Sequence, residues 1–407
     1  MKIGFKYVFI TVGIVLCFNS NGVAQNNILS SELKKEIHIS NTLKWSERMA
    51  LSIIKRHPKV WQIEKNEKPK WDYKPSFVLL SLEKLYKKTK KSNYQDYIKD
   101  YLDTFIDSSG VISHYDLQEF NIDYINPGKL VFRLYDNTHD ARYLKVLQTL
   151  KNQLEVQPRT EAGGFWHKKI YPNQMWLDGL YMETPFYARY TIQYEGGKNL
   201  NDVAKQFEVV QEHFFDKESG LPYQAWDESK QIGWANKTRG TSPTIWSRGI
   251  GWYAMALVDV LDYYPKNNPK QKEIIGYLNK LVKQLAKYQD ATGLWYQVTD
   301  KAKKEGNYLE SSGSAMFAYV MAKGVNKGYL PTKYKKLANK AFDETVKSKI
   351  KVAIDGEVHL TQCCTNFGLG GTPFRNGTYD FYTKGERKDD VAAGVGAFIL
   401  AALELDK

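Results

Sequence analysis

Asp178 and Asp123 are the residues whose surroundings suit them best for chemistry. Asp178 sits in the stretch PNQMWLDGLYMETPFYAR (172–189), where Asn173, Gln174 and Trp176 precede it without an intervening charge and Gly179 follows. Leu180, Met182, Phe186 and Tyr190 then recur at helical spacing, so the aspartate stands at the mouth of a helix. An Asp there can cap the helix by accepting backbone N–H groups, or it can serve as an acid. Asp123 has a similar setting in NIDYINPGKLVF, just before an Asn-Pro-Gly turn and an apolar run. Two aspartates so placed are what general acid/base chemistry on a sugar requires.

Other side chains could hold a substrate. Arg248, in TIWSRGIGWYAMAL, is flanked by Trp246 and Trp252, and Gly249 and Gly251 leave space along the backbone. An arginine among tryptophans at a helix start can grip a carboxylate with both arms while the rings stack on a pyranose. The competing reading is a surface salt bridge. His167, in GGFWHKKIY, follows two glycines and two aromatics and could donate to a hydroxyl or tune Asp178, though it could equally be an ordinary polar loop residue. His114 has a comparable loop position, and His359 a weaker one. Gln224, in GLPYQAWDES, can bond sugar hydroxyls through both ends of its amide, whereas Asp227 and Glu228 read as caps or surface charges.

Composition narrows the class. Aromatics make up 14% of the chain, with 28 Tyr and 10 Trp, a supply of rings with an apolar face and a polar edge that suits sugar stacking. Lys and Arg exceed Asp and Glu by 58 to 45, but the excess is spread over the chain and no nucleic-acid-binding signature accompanies it. The charge suits an anionic substrate. Cys363 and Cys364 are adjacent, which excludes a disulfide scaffold, and no Cys or His set has metal-ligand spacing. Neither a structural metal nor a cofactor is expected.

The elements that must position these residues are helices. Periodicity predicts twelve, near 41–56, 75–89, 93–107, 127–136, 140–155, 178–193, 199–215, 250–263, 270–289, 312–325, 331–348 and 390–405. Start signals include Asn41-Thr42, Asp140, Ser311-Ser312 and Pro331-Thr332. Convincing strands are scarce. Between helices a glycine-led motif recurs as GVISHYD (110–116), GFWHKKIYP (164–172), GLPYQAWD (220–227), GLWYQVTD (293–300) and, more loosely, GEVHLTQC (356–363), spaced by about two helices plus loops. The expectation is an all-α (α/α)6 barrel of six helical hairpins, a single domain over 26–407, with Asp123, Asp178, Arg248, Ser312 and Asp390 at one mouth.

Residues 1–25 read as an export signal: Lys2 and Lys6, the run YVFITVGIVLCF, then small residues at Gly22, Val23 and Ala24. A periplasmic location follows; a lipoprotein built on Cys17 is disfavoured by the bulky Leu16. No later segment reads as a membrane span.

The runs NQMWLDGLYM, NIDYINPGK, WSRGIGWYAMALVDVLDYYP, YLESSGSAMFAYVMAKGV and GVGAFILAALEL resemble the unsaturated rhamnogalacturonyl hydrolases of glycoside hydrolase family 105, related to unsaturated glucuronyl hydrolases, over most of the chain. The resemblance implies a six-hairpin barrel and removal of a 4,5-unsaturated uronic acid from the non-reducing end of lyase-generated oligosaccharides. In that scheme Asp178 protonates C4 of the enol ether, water adds at C5, and the hemiketal opens to expel the remaining sugar. The second aspartate falls on Asp123, the loop histidine on His167, the stacking tryptophan on Trp176, and the Trp-Arg-Trp set on Trp246, Arg248 and Trp252. Gln224 stands where members acting on rhamnogalacturonan commonly carry His, which opens the choice between galacturonyl and glucuronyl substrates. A hydrolase of saturated glycosides on the same barrel, or a non-catalytic oligosaccharide-binding protein, are the alternative readings.

Overall fold

The structure is a computed structural model that describes residues 38–65 and 68–407; the expected signal segment and Cys17 lie outside the described residues. Twelve helices of eleven residues or more are found among the described residues: α1 Trp45–Arg56, α2 Tyr73–Thr89, α3 Ser92–Phe105, α4 Gly128–Thr138, α5 Ala141–Val156, α6 Leu177–Tyr194, α7 Leu200–His213, α8 Ser247–Val260, α9 Pro269–Leu285, α10 Ser311–Asn326, α11 Lys333–Lys349 and α12 Ala392–Leu405. Each corresponds to one of the twelve expected segments.

Residue pattern decides which helices are inside. α12 (AAGVGAFILAALEL) and α10 (SSGSAMFAYVMAKGVN) are apolar or small around their whole circumference and are buried almost throughout. α11 buries only Tyr334, Ala338, Ala341, Phe342, Thr345 and Lys349, a single stripe at helical spacing. The even-numbered helices α2, α4, α6, α8, α10 and α12 accordingly form an inner ring, closed where α12 packs on α2. The odd-numbered helices form the outer layer, α3 on α2, α5 on α4 and so on, with α1 against α12. This is the (α/α)6 barrel, and Ile39–Lys407 packs as one compact unit.

Local chemistry fixes the helix starts. Asp72 accepts from the Lys74 N–H at 3.0 Å at the head of α2, and Asp140 from Arg142 N–H at 3.0 Å at the head of α5. α10 is capped by Glu310, whose carboxylate takes both Ser312 N–H (3.0 Å) and Gly313 N–H (2.6 Å), rather than by the Ser311-Ser312 pair. α1 and α11 start at Trp45 and Lys333 without a side-chain cap, so the Asn41-Thr42 and Pro331-Thr332 signals mark their approaches only. Pro185 lies inside α6 and cannot donate to the Tyr181 carbonyl one turn back; the buried Lys129 ammonium of α4 donates to that carbonyl instead. Burial pushes the Lys129 pKa down to about 7.

The recurring glycine motif is a tight turn after an outer helix. Gly110, Gly163, Gly220, Gly293 and Gly356 all have positive φ, between +68° and +114°, which a side chain disfavours; in the second copy the turn glycine is thus Gly163, one residue before the Gly164 that leads the expected motif. Four residues beyond each turn stand His114, His167, Gln224, Gln297 and Leu360. The chain then enters short antiparallel pairs at the mouth. β1 (Gln174–Trp176) pairs with β2 (Ala225–Asp227), Trp176 opposite Ala225, and leads straight into α6. β3 (Trp295–Tyr296) pairs with β4 (Leu309–Glu310) just before α10. β5 (Ile350–Val352) with β6 (Val358–Leu360), and β7 (Cys363–Cys364) with β8 (Arg387–Lys388), frame the last loop.

Candidate active site

A cavity of about 300 Å³ opens at the inner-helix N-termini, lined by Asp123, Asp178, His167, Lys168, Trp176, Gln224, Trp246, Lys70, Asp72, Tyr73, Lys74 and the segment 366–368, with Tyr171 and Arg375. It continues into two clefts of about 500 Å³ each. One shares Lys70 and Asp72 and carries His114, Tyr115 and Tyr124; the other shares Lys74 and Asn366 and carries Arg56, His57, Lys388 and Asp390.

Asp178 is the second residue of α6, held there because the Leu177 N–H donates to the Gln224 carbonyl at 3.0 Å. Its Oδ2 is buried and has no hydrogen-bond partner among the described residues. Burial, reinforced by the negative charge of Asp123 and opposed by Arg248 and Lys168, raises its pKa to about 7. Asp123 is the contrasting case. It sits in the 3₁₀ turn Ile122–Ile125, whose start is fixed by the Asn121 side chain accepting from Asp123 N–H. Burial alone would raise its pKa, but the Lys168 ammonium, 2.6 Å from Oδ2, holds it below the ordinary carboxylate range. One carboxyl is thus kept ionised beside another that retains its proton near neutrality.

His167 faces this pair, with Nε2 3.7 Å from Asp123 Oδ1. Burial lowers its pKa to about 4, so the imidazole is neutral at pH 7. Its ring stacks on Trp176 at 4.9 Å, and Tyr171 covers the other neighbouring ring position at 4.8 Å from Trp176. Trp176 is therefore 5% exposed, part of an aromatic stack that forms one cavity wall. Gln224 lines the cavity too, but its amide is engaged: Nε2 donates to the Phe367 carbonyl at 2.7 Å, and Oε1 accepts from the Tyr382 hydroxyl. Trp246 borders the cavity with its indole N–H given to Gln297 at 3.2 Å.

Two expectations need correction. Arg248 does not line the cavity. Its guanidinium, 2% exposed, donates to the backbone carbonyls of Cys364 (2.8 Å) and Thr365, and acts as a buried brace between α8 and β7. Trp252, one turn further along the same face of α8, is buried below the mouth, packed on Phe77 and Tyr181 at 4.8 and 5.1 Å and edge-on to the cavity residue Tyr73 at 6.2 Å. Ser312 is buried against Glu310, and Asp390 pairs with His359 at 2.7 Å in the neighbouring cleft. All five mouth residues share one end of the barrel, yet only Asp123 and Asp178 share the cavity.

Sequence reasoning missed Asp72, Lys168, Asn366 and Arg375. Lys168 adjoins His167 in the recurring motif, a signal that was available. Asp72 was readable as a cap but not as a cavity acid, and nothing local marks residues 366 and 375. Among the described residues, no group of three or more His, Cys, Asp or Glu side chains is arranged to hold a metal ion. No helix among them is long and apolar enough to cross a membrane.

A six-hairpin barrel with one protonated and one ionised carboxyl in its mouth cavity fits the working parts of a glycoside hydrolase, and comparison with known proteins gives that class. Residues 45–407 match the sequence model of Glycosyl Hydrolase Family 88, and the chain belongs to that family. A solved family 105 glycoside hydrolase from C. acetobutylicum is 39% identical, superposes with a TM-score of 0.85, and is matched over 89% of this chain and 99% of its own. The unsaturated rhamnogalacturonyl hydrolase YesR of Bacillus subtilis is 26% identical over 270 residues, 65% of this chain and 73% of that protein. The unsaturated glucuronyl hydrolase of Bacillus sp. GL1 shares the fold at 14% identity, with a TM-score of 0.64 over 89% of this chain and 96% of that one.

Proposed function

We propose that the protein removes a 4,5-unsaturated uronic acid from the non-reducing end of oligosaccharides left by polysaccharide lyases, starting with hydration of the double bond. The observation that carries this reading is the Asp178 carboxyl, raised to about 7 in a cavity where Asp123 stays ionised. An enol ether needs an acid that still holds its proton when substrate arrives. Asp178 gives that proton to C4, and the positive charge forming at C5 is shared with the ring oxygen. Water adds at C5 and returns a proton to Asp178. The hemiketal then opens by breaking the bond between C5 and the ring oxygen, leaving a ketone at C5. The hemiacetal so formed at C1 collapses to an aldehyde and releases the remaining sugar as an alcohol. Burial, helped by the charge of Asp123, keeps Asp178 protonated, and that charge faces the cation as it develops.

Cationic residues in the cavity, Lys70, Lys74, Lys168 and Arg375, suit an anionic end sugar, and the flanking clefts offer room for the rest of the chain. The sugar is galacturonyl or glucuronyl. Gln224 supplies no titratable group at the position where rhamnogalacturonan-directed relatives commonly have His, so a glucuronyl end on another aglycone fits as well. Export through residues 1–25 belongs to the same reading, since lyase products of external polysaccharides arise outside the cytoplasm.

Incubation with unsaturated oligosaccharides should abolish their ultraviolet absorbance. With methanol present, the cation at C5 should be trapped as a methyl ketal that cannot open. A methyl glycoside at C1 would instead show direct displacement at the glycosidic bond and overturn the hydration route. Asp178→Asn, which keeps the shape but has no proton to give, should cut turnover at least about 100-fold.

A further inference from the structure

With Arg248 engaged behind the wall, the cavity needs another group to receive the carboxylate of its anionic end sugar, because a carboxylate leaving water without a partner is strongly disfavoured. Lys168 is paired with Asp123 at 2.6 Å and Lys74 with Glu64 at 2.6 Å. Lys70 is an exposed point charge at the edge. Arg375 differs from all three. It makes no ion pair among the described residues, and its polar contacts are with neutral groups: Nε to the Gly370 carbonyl at 2.8 Å, Nη2 to the Leu369 carbonyl at 3.4 Å and to the Tyr171 hydroxyl at 3.3 Å.

The surrounding loop holds this fork in place. Gly370 and Arg375 bridge to form a short turn, and Leu369 beneath it joins Trp176, Ala225 and Trp234 in a small apolar cluster. Glycines leave the room the guanidinium occupies: a Cβ on Gly368 would lie 3.1 Å from Nη1, and one on Gly371 2.9 Å from Nη2. Gly368 is itself part of the cavity lining, so Nη1 lies against the cavity wall. Tyr171, which takes Nη2, stacks on Trp176, two residues before the acid Asp178. The fork is thus fixed in orientation relative to the reacting carboxyl before substrate arrives.

We propose that Arg375 is the residue that receives the carboxylate of the unsaturated end sugar and so selects uronyl over neutral sugars. This rests on the uronyl hydrolase reading of the site. An arginine held by neutral acceptors keeps its full charge for the ligand, and its planar geometry matches a carboxylate bidentately.

The test compares wild type, Arg375→Gln and Arg375→Lys on an unsaturated uronyl disaccharide and on its methyl ester. Losing a charge-assisted pair should raise KM for the acid roughly 10- to 100-fold in Arg375→Gln, with kcat changed far less. Arg375→Lys should recover part of the loss. Wild type should disfavour the ester by a similar factor, and Arg375→Gln should no longer distinguish acid from ester. An Arg375→Gln enzyme that still prefers the acid as strongly as wild type overturns this role while leaving the reaction intact. A wild type that releases no unsaturated sugar from any such substrate overturns the reaction and the role together.

Discussion

Asp178 and Asp123 are the same residue type with opposite protonation, and the cause is their neighbours. Asp178 is desolvated without a cationic partner in hydrogen-bond reach, whereas Asp123 holds the Lys168 ammonium at 2.6 Å. The pH profile follows from the directions. The working form has Asp178 protonated, so kcat/KM should be level below neutrality and fall as pH rises through about 7. On the acid side Asp123 titrates below the ordinary carboxylate range, which leaves the plateau wide. Lys168→Met should move that acid limb upward by removing the cation that keeps Asp123 ionised. A rate that stays level well into the alkaline range would assign the proton to another group. The sequence made both aspartates visible because each precedes a helix signal within a few residues. Their opposite charge states were not visible, since burial and ion pairing are not local properties.

At the scale of the element, α8 shows what a helix start can conceal. The run WSRGIGWY suits an arginine presented to a ligand, and it equally suits an arginine sealed inside a barrel wall. Its acceptors are the carbonyls of Cys364 and Thr365, 116 and 117 positions away in sequence, so no local pattern separates the two cases. Arg248→Met should leave those carbonyls unpaired and lower stability by roughly 2–4 kcal/mol, read as the shift in a denaturant midpoint. An arginine that served substrate alone would leave the midpoint in place. The same brace explains the cysteines: Cys363 and Cys364 are buried and free, and Cys364 N–H donates to Glu310, which caps α10. Their backbone ties two inner helices together at the mouth.

Across the whole molecule, the ring closes where α12 meets α2, and small residues set how near the helices come. A Cβ at Gly396 would stand 2.6 Å from the ring of Phe77, which is itself wedged against Tyr181 and Trp252 and has no free direction to move. Gly396→Ala should therefore destabilise the barrel by roughly 1–2 kcal/mol although alanine is the better helix former, a loss measurable by thermal or denaturant unfolding. The mouth cavity depends on that closure, because its lining comes from segments as distant as residues 70 and 375. The sequence by itself determined the twelve helices, the inner or outer character of many of them, the five glycine turns and the position of both acids. These follow from periodicity, capping and backbone freedom, which act within a few residues. The tertiary structure alone decided that Arg248 and Trp252 belong to the wall and core, that Lys168 ionises Asp123, and that Arg375 borders the cavity. Those outcomes turn on which distant group fills a buried side chain's remaining hydrogen bonds, and only closure of the ring brings such groups within reach.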